Sequence, residues 1–221
     1  GKLIPLLWIE QAMERWKPKT VTCDKLGVDV SGMGRDTTIF CERTGNYVGP
    51  LEAFAAKSAD TTHMEICGQI KNKKFNKCLI DTIGEGAGVY SRLKEQQEPN
   101  VFSFKNSYGA KGLTDQTEAR AFLNMRAYTH WAVRDYLNPQ FNPDATLPPD
   151  DELKAQLSEI EYSIKSNGQI QIESKEDLKN RLGCSPDKSD ALCQTFAPDV
   201  RFQEEVKKDD TAINNFAAAM Q

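Results

Sequence analysis

The chain has 221 residues, 39% of them hydrophobic and 27% charged, with a formal net charge of −4; this is enough for one substantial core and describes a globular protein. No apolar run approaches the roughly 20 residues of a membrane span, which argues against an integral membrane protein, and no basic start followed by an apolar core marks a signal peptide. The acidic balance also argues against a uniformly basic nucleic-acid binder, although Lys105, Lys111, Arg120, Arg126 and Arg134 outnumber Asp115 and Glu118 between Val101 and Arg134 and form a local basic segment.

The chain opens Gly-Lys-Leu rather than with Met, and so reads as a piece of a longer protein. Apolar residues at helical spacing predict a helix over Leu3–Trp16, broken by Pro18. Lys25–Ser31, Thr37–Arg43 and Tyr47–Phe54 read as three strands of an antiparallel meander, turned at Gly32-Met-Gly34 and Thr44-Gly-Asn46. A helix over Thr61–Lys73, a buried strand over Lys77–Asp81, a helix over Ala87–Gln96 and a short strand over Val101–Phe104 follow. Asp115–Leu137 is the longest helical stretch, ended by Asn138-Pro139. A proline-bearing linker, Asn142–Pro149, leads to a helix over Asp150–Leu157.

Glu161–Lys165 and Gln169–Glu173 flank Ser166-Asn-Gly168, a strong hairpin signal. Ser174 then caps a helix over Lys175–Leu182, with Asp177 in the capping-box position, and a last helix runs from Pro186 to Ala197. The expected division is a lead-in helix and linker over residues 1–20, one mixed α/β domain over 21–198, and a polar tail over 199–221. The six cysteines are scattered with no Cys-x-x-Cys pair, which predicts reduced, mostly buried thiols.

Four aspartates stand out. Asp29 lies inside the apolar run Lys25-Leu-Gly-Val-Asp-Val-Ser31, where a bare carboxylate is costly unless a cation compensates it. Asp81 ends Cys78-Leu-Ile-Asp81. Asp187 and Asp190 are three apart on the last helix, hence on one face. Mg²⁺ and Mn²⁺ prefer hard oxygen ligands of this kind, and a pair of such ions can drive in-line phosphodiester hydrolysis.

Each acid has a plainer reading as well. Asp187 suits the first turn of a helix, where the dipole favours an acid, with Ser185 as cap and Pro186 at the first position, and Asp81 suits a strand end that bonds its own loop. Gly84-Glu-Gly-Ala-Gly88 lacks the Lys-Ser/Thr of a phosphate-binding loop, so its glycines read as close strand–helix packing. Asp36 and Glu85 are candidates for a place beside the metal site, Asp36 to orient a metal-bound water, although a turn residue and a solvated loop acid are their default readings.

In order along the chain, Leu26-Gly-Val-Asp-Val-Ser-Gly-Met-Gly-Arg-Asp-Thr-Thr38, Ile80-Asp-Thr-Ile-Gly-Glu-Gly-Ala-Gly-Val-Tyr-Ser-Arg-Leu93 and Ser185-Pro-Asp-Lys-Ser-Asp-Ala-Leu192 resemble the nuclease domain of large terminase subunits from tailed bacteriophages. Ile164-Lys-Ser-Asn-Gly-Gln-Ile-Gln-Ile-Glu-Ser174 resembles that family's hairpin beside the active site. The resemblance spans about Leu3 to Ala197. It implies a ribonuclease H-like mixed sheet, with acids from the first strand, the fourth strand and a late helix meeting at one end.

The resemblance further implies a two-metal endonuclease, using Mg²⁺ or Mn²⁺ and no nucleotide in this fragment, that cuts concatemeric double-stranded viral DNA in the host cell cytoplasm. An upstream ATPase domain of the same polypeptide, a small terminase subunit and a portal are the implied partners. Asp29 and Asp81 match the first two metal-binding acids, and Asp187 and Asp190 both remain candidates for the third. Lys165, Lys175 and Lys179 around the hairpin, with Lys105 and Lys111, are candidates for the DNA backbone. A junction-resolving nuclease of the same fold and a non-catalytic DNA-gripping or portal-docking module are the alternatives.

Overall fold

The structure is a computed structural model in which residues 1–32 and 37–199 are described. The predicted Gly32-Met-Gly34 turn therefore lies in part, and Asp36 and residues 200–221 lie wholly, outside the described residues. A mixed sheet forms the centre, from β1 (Cys23–Asp29), β2 (Thr38–Thr44), β3 (Tyr47–Val48), β4 (Glu52–Phe54), β5 (Phe75–Asp81) and β6 (Val101–Phe104). Its order is β3-β2-β1-β5-β6, with β4 also paired to β2. β1 and β2 are antiparallel, whereas β1–β5 and β5–β6 are parallel. This is the ribonuclease H-like mixed sheet that the resemblance implies.

The helices are α1 (Leu6–Arg15), α2 (Thr62–Lys71), α3 (Gly86–Glu95), α4 (Met125–Leu137), α5 (Asp151–Glu159), α6 (Lys175–Leu182) and α7 (Asp187–Gln194). Strand residues alternate between the two faces of the sheet. Leu26, Val28, Cys78 and Ile80 pack with Ile66, Ile70, Val89 and Leu93 of α2 and α3. The opposite face carries α7, which packs on β1 and β2 and is itself backed by α4 and α5. Among the described residues no helix is long and apolar enough to cross a membrane. All six cysteines are free, and five of them are buried.

Three expectations change. The third strand is two pieces, β3 and β4, both paired with β2, because Gly49-Pro50 interrupts it and proline has no N–H for a ladder. The helix expected from Asp115 starts at Met125, capped by the Asn124 side chain, which accepts from Ala127 N. Residues 115–124 instead turn around the Asp115 carboxylate, which accepts from Ala119 N and Arg120 N, and then pair with the hairpin through Leu123 N to Ile170 O and Ile170 N to Ala121 O. The opening helix begins at Leu6 rather than Leu3; Leu3 and Ile4 are buried in an extended segment whose Leu3 N donates to Ile160 O, and they join Ile9 and Ala12 in the main core.

The hairpin itself forms as expected. β7 (Tyr162–Ile164) and β8 (Ile170–Ile172) pair in antiparallel register, and Gly168 at φ 81° supplies the left-handed turn residue. Ser174 caps α6 by accepting from Asp177 N at 3.0 Å.

Candidate metal centre

Parallel pairing of β1 with β5 sets Gly27 opposite Leu79 and Val28 opposite Ile80, so the same register brings Asp29 beside Asp81 at the carboxyl ends of both strands. Because Val28 and Ile80 point into the α2–α3 core, alternation turns both aspartates to the α7 face. Two glycines let helices close on this end. A Cβ on Gly27 would stand 2.1 Å from the Ala191 carbonyl oxygen of α7, and one on Gly86 would stand 1.8 Å from the Asp81 carbonyl oxygen. The second contact makes the glycine-rich turn a close strand–helix approach, as its sequence suggests.

α7 is seated by polar contacts as well as apolar ones. Gln194 Oε1 accepts from Val28 N at 3.2 Å, and the Gln156 side chain accepts from Ser189 N and donates to Ser185 O. Seated there, α7 presents Asp187 and Asp190 to the ends of the strands. Lys175, the first residue of α6 after the hairpin, completes the cluster. Its Nζ lies 3.1 Å from Asp29 Oδ2, 3.0 Å from Asp187 Oδ1 and 3.0 Å from Asp190 Oδ2. Three carboxylate oxygens, one from β1 and two from α7, thus converge on one cation carried by α6.

The electrostatics follow from burial and this ammonium. Asp29 is 7% exposed; burial pushes its carboxyl well above the usual range, Lys175 pulls it down, and Asp190 and Asp187 push it up again. Asp190 is 2% exposed, and burial would raise it too, but the Arg126 guanidinium and Lys175 outweigh burial and hold it well below the usual range. Burial acts to lower Lys175, yet Asp190, Asp29 and Asp187 hold the ammonium well above its usual value. Burial also raises Asp81, against the Ile83 N–H and the Asn106 amide, which donate to its two oxygens at 3.0 and 2.7 Å.

Asp187 does lie in the first turn of α7, but Ser185 does not cap the helix: Pro186 takes the cap position with no side-chain cap bond, and the Ser185 hydroxyl donates instead to Asp187 Oδ1, which also meets Lys175. Glu85 sits at the N-cap of α3 near the exit of β1, where a Cβ on Gly32 would come within 3.9 Å of its Cγ. Its Oε2 lies 2.9 Å from His63 Nε2, and the missing side chain of Gly88 leaves room for that imidazole. Lys111, Lys165 and Lys179 are exposed, whereas Lys105 donates to the Tyr108 hydroxyl at 2.7 Å. Lys175, a candidate for the DNA backbone on sequence grounds, is here engaged with the acids.

Three contributors to the centre are not singled out as site residues by the sequence: Asn106, which orients Asp81, and Arg126 and His130, which face Asp190 from α4. The one available signal is that Arg126 and His130 are four apart on a helix with apolar neighbours, which places both on one buried face. Among the described residues no group of three or more His, Cys, Asp or Glu side chains forms a ready-made metal cage; the convergent oxygens are closed on Lys175. The donor set nevertheless fits a hard divalent cation, being all carboxylate oxygen, and the ammonium marks the point where a cation is stabilised.

No family model and no curated protein matches the chain. Solved structures do. The nuclease domain of the large terminase subunit gp2 of bacterial virus Sf6 superposes with a TM-score of 0.71 at 22% identity, covering 90% of this chain and 99% of that one. A lysine-to-alanine mutant of that domain, solved with manganese and beta-thujaplicinol, gives the same values. The large terminase nuclease from thermophilic phage G20c with bound cobalt matches at a TM-score of 0.52 and 10% identity, covering 89% of this chain and 96% of that one. The chain therefore has the ribonuclease H-like fold seen in the nuclease domains of phage large terminase subunits.

Proposed function

We propose that the chain is a metal-dependent endonuclease that cuts double-stranded viral DNA during genome packaging, acting as the nuclease part of a large terminase subunit. The observation that carries this reading is the convergence of Asp29, Asp187 and Asp190 on one cation, with Asp81 alongside Asp29 on the neighbouring strand. Asp29 and Asp81, with Asp187 or Asp190, would hold two Mg²⁺ or Mn²⁺ ions. Such ions supply an activated water and stabilise the leaving oxygen of a phosphodiester. The structural neighbours named above include proteins solved with manganese and cobalt, which supports a divalent cation here.

The protein's own groups prepare the site. The Asn106 amide and the Ile83 N–H fix both oxygens of Asp81. Lys175 neutralises the acids in the metal-free state and must give way before a cation takes its place. Exposed Lys111, Lys165 and Lys179 offer contacts to phosphates, which position DNA without reading its sequence. Double-stranded DNA, an ATPase domain of the same polypeptide, a small terminase subunit and a portal are the partners this reading assigns, and the host cell cytoplasm is its setting.

Closure of the acids on Lys175 favours one second reading, a DNA-gripping or portal-docking module that does not cut. Incubation with supercoiled plasmid separates the two. The nuclease reading expects nicking and linearisation with Mn²⁺ or Mg²⁺, none in EDTA, and loss of at least about a hundredfold in rate for Asp29→Asn or Asp81→Asn, since each removes a charged ligand. An intact plasmid under all metal conditions supports the module, and cleavage that survives EDTA contradicts both.

A further inference from the structure

We infer that Arg126 is a positioning residue for the metal centre: it locks Asp190 by one oxygen and ties that acid to the start of α6. This inference rests on the nuclease reading and deepens it. The Arg126 guanidinium is buried on α4, and its NH1 donates to Asp190 Oδ1 at 3.0 Å while its Nε donates to the Glu173 carbonyl oxygen at 3.1 Å. Glu173 lies two residues before Lys175. One planar group therefore sets both the orientation of the acid and the path of the chain that brings Lys175 to it.

The consequence is a division of labour between the two oxygens of Asp190. Oδ1 is taken from behind by Arg126, with His130 Nε2 at 3.6 Å on the same oxygen. Oδ2 is left facing Asp29 and Asp187, where it meets Lys175 at 3.0 Å. The His130 ring is itself set by Nδ1, which donates to the Arg126 carbonyl oxygen at 2.8 Å, so the imidazole closes the space behind Oδ1. Asp187 has no buried guanidinium behind it: its described partners are the Ser185 hydroxyl, Lys175 and the Asp29 carboxyl, all on the side of the centre or its own turn. Of the two helical acids, Asp190 is the one held in a single orientation, and it is the better third ligand on that ground.

Packing alone does not account for the arginine. Four buried side-chain nitrogens among the described residues lack a hydrogen-bond partner, and two of them, Arg126 NH2 and His130 Nε2, belong to the residues facing Asp190. Leaving such groups unpaired is costly, and of the two bonds that Arg126 does make, one holds an acid of the centre and the other holds the backbone that leads to Lys175. Lysine could keep the charge but could not span a carboxylate and a carbonyl with a planar fork.

The test is Arg126→Lys in the full chain, read by calorimetric titration with Mn²⁺ and by plasmid cleavage across a range of Mn²⁺ concentrations. The expected result is a folded protein whose Mn²⁺ dissociation constant rises about tenfold, the size typical when the outer partner of a ligating group is lost, and whose cleavage rate returns toward the parent's at saturating Mn²⁺. A variant that melts lower yet binds Mn²⁺ as tightly as the parent overturns the inference, because the arginine then serves packing only. If R126K does not fold, R126Q carries the same titration, since Lys175 still neutralises Asp190 and the glutamine amide reaches one of the two partners. A parent chain that binds no Mn²⁺ overturns the nuclease reading itself, whereas a binding parent with an unaltered variant overturns only the role of Arg126.

Discussion

A carboxylate inside an apolar strand is stable only if a cation answers it, and at Asp29 the answer in this structure is Lys175. Burial nevertheless raises Asp29 more than the lysine lowers it. Its folded pKa then lies above the unfolded value of about 3.9. Its contribution to stability is fully present below that unfolded value and is lost as pH rises through the folded pKa. Asp29→Asn is therefore expected to melt higher than the parent at pH 8, by about 2–4 °C for each 1 kcal/mol relieved, and to converge with it near pH 4. Melting followed by circular dichroism at both pH values checks this; a lower melting temperature for the variant at pH 8 means that attraction to Lys175 outweighs burial.

Lys175→Ala makes the complementary prediction. Removing the ammonium leaves Asp29, Asp187 and Asp190 without their shared cation, so the metal-free variant should melt lower. Because nothing then competes for the convergent oxygens, a fixed concentration of Mn²⁺ should raise its melting temperature more than it raises the parent's, by the ordinary linkage of ligand binding to stability. A smaller Mn²⁺ shift in the variant would show that the lysine helps to hold the metal rather than standing in for it. At this scale the sequence shows the acids, because a charged residue in Leu-Gly-Val-Asp-Val-Ser is conspicuous. It does not show Lys175 as their partner, since a lysine at the start of a polar helix looks the same whether it meets solvent or a carboxylate 146 positions away.

Between elements, the close contact of α7 with β1 decides whether the acids meet. Gly27 is the hinge of that contact, with the Ala191 carbonyl oxygen where its Cβ would be. Gly27→Ala should push α7 off the strand, separate Asp190 from Asp29 and destabilise the domain by about 1–3 kcal/mol, the usual cost of overpacking a core. Cleavage should fall further than stability explains, and thermal melting with plasmid cleavage below the transition measures both. Unchanged activity in a folded Gly27→Ala would mean that the seat of α7 does not set the centre.

The elements themselves are mostly legible: strands, hairpin, Ser174 cap and glycine-rich turn all follow from period, turn residues and capping. The expected helix from Asp115 does not survive, because Phe122 and Leu123 fit helical spacing but are claimed by β8, and only tertiary pairing distinguishes Asn124 as the true cap. The same distance hides Arg126 and His130, whose importance lies in α7, far along the chain.

For the whole molecule, the sheet order and the neighbours agree on a ribonuclease H-like domain, which the resemblance carried by the acid-bearing motifs anticipates. The chemistry is less legible than the architecture, because it depends on which cation fills the space between three elements. A crystal soaked in Mn²⁺ and examined by anomalous scattering tests that point most directly. The account predicts manganese bound by Asp29, Asp81 and Asp190, with the Lys175 ammonium displaced from between the acids. Manganese bound elsewhere, or acids still closed on Lys175 at saturating Mn²⁺, would contradict it.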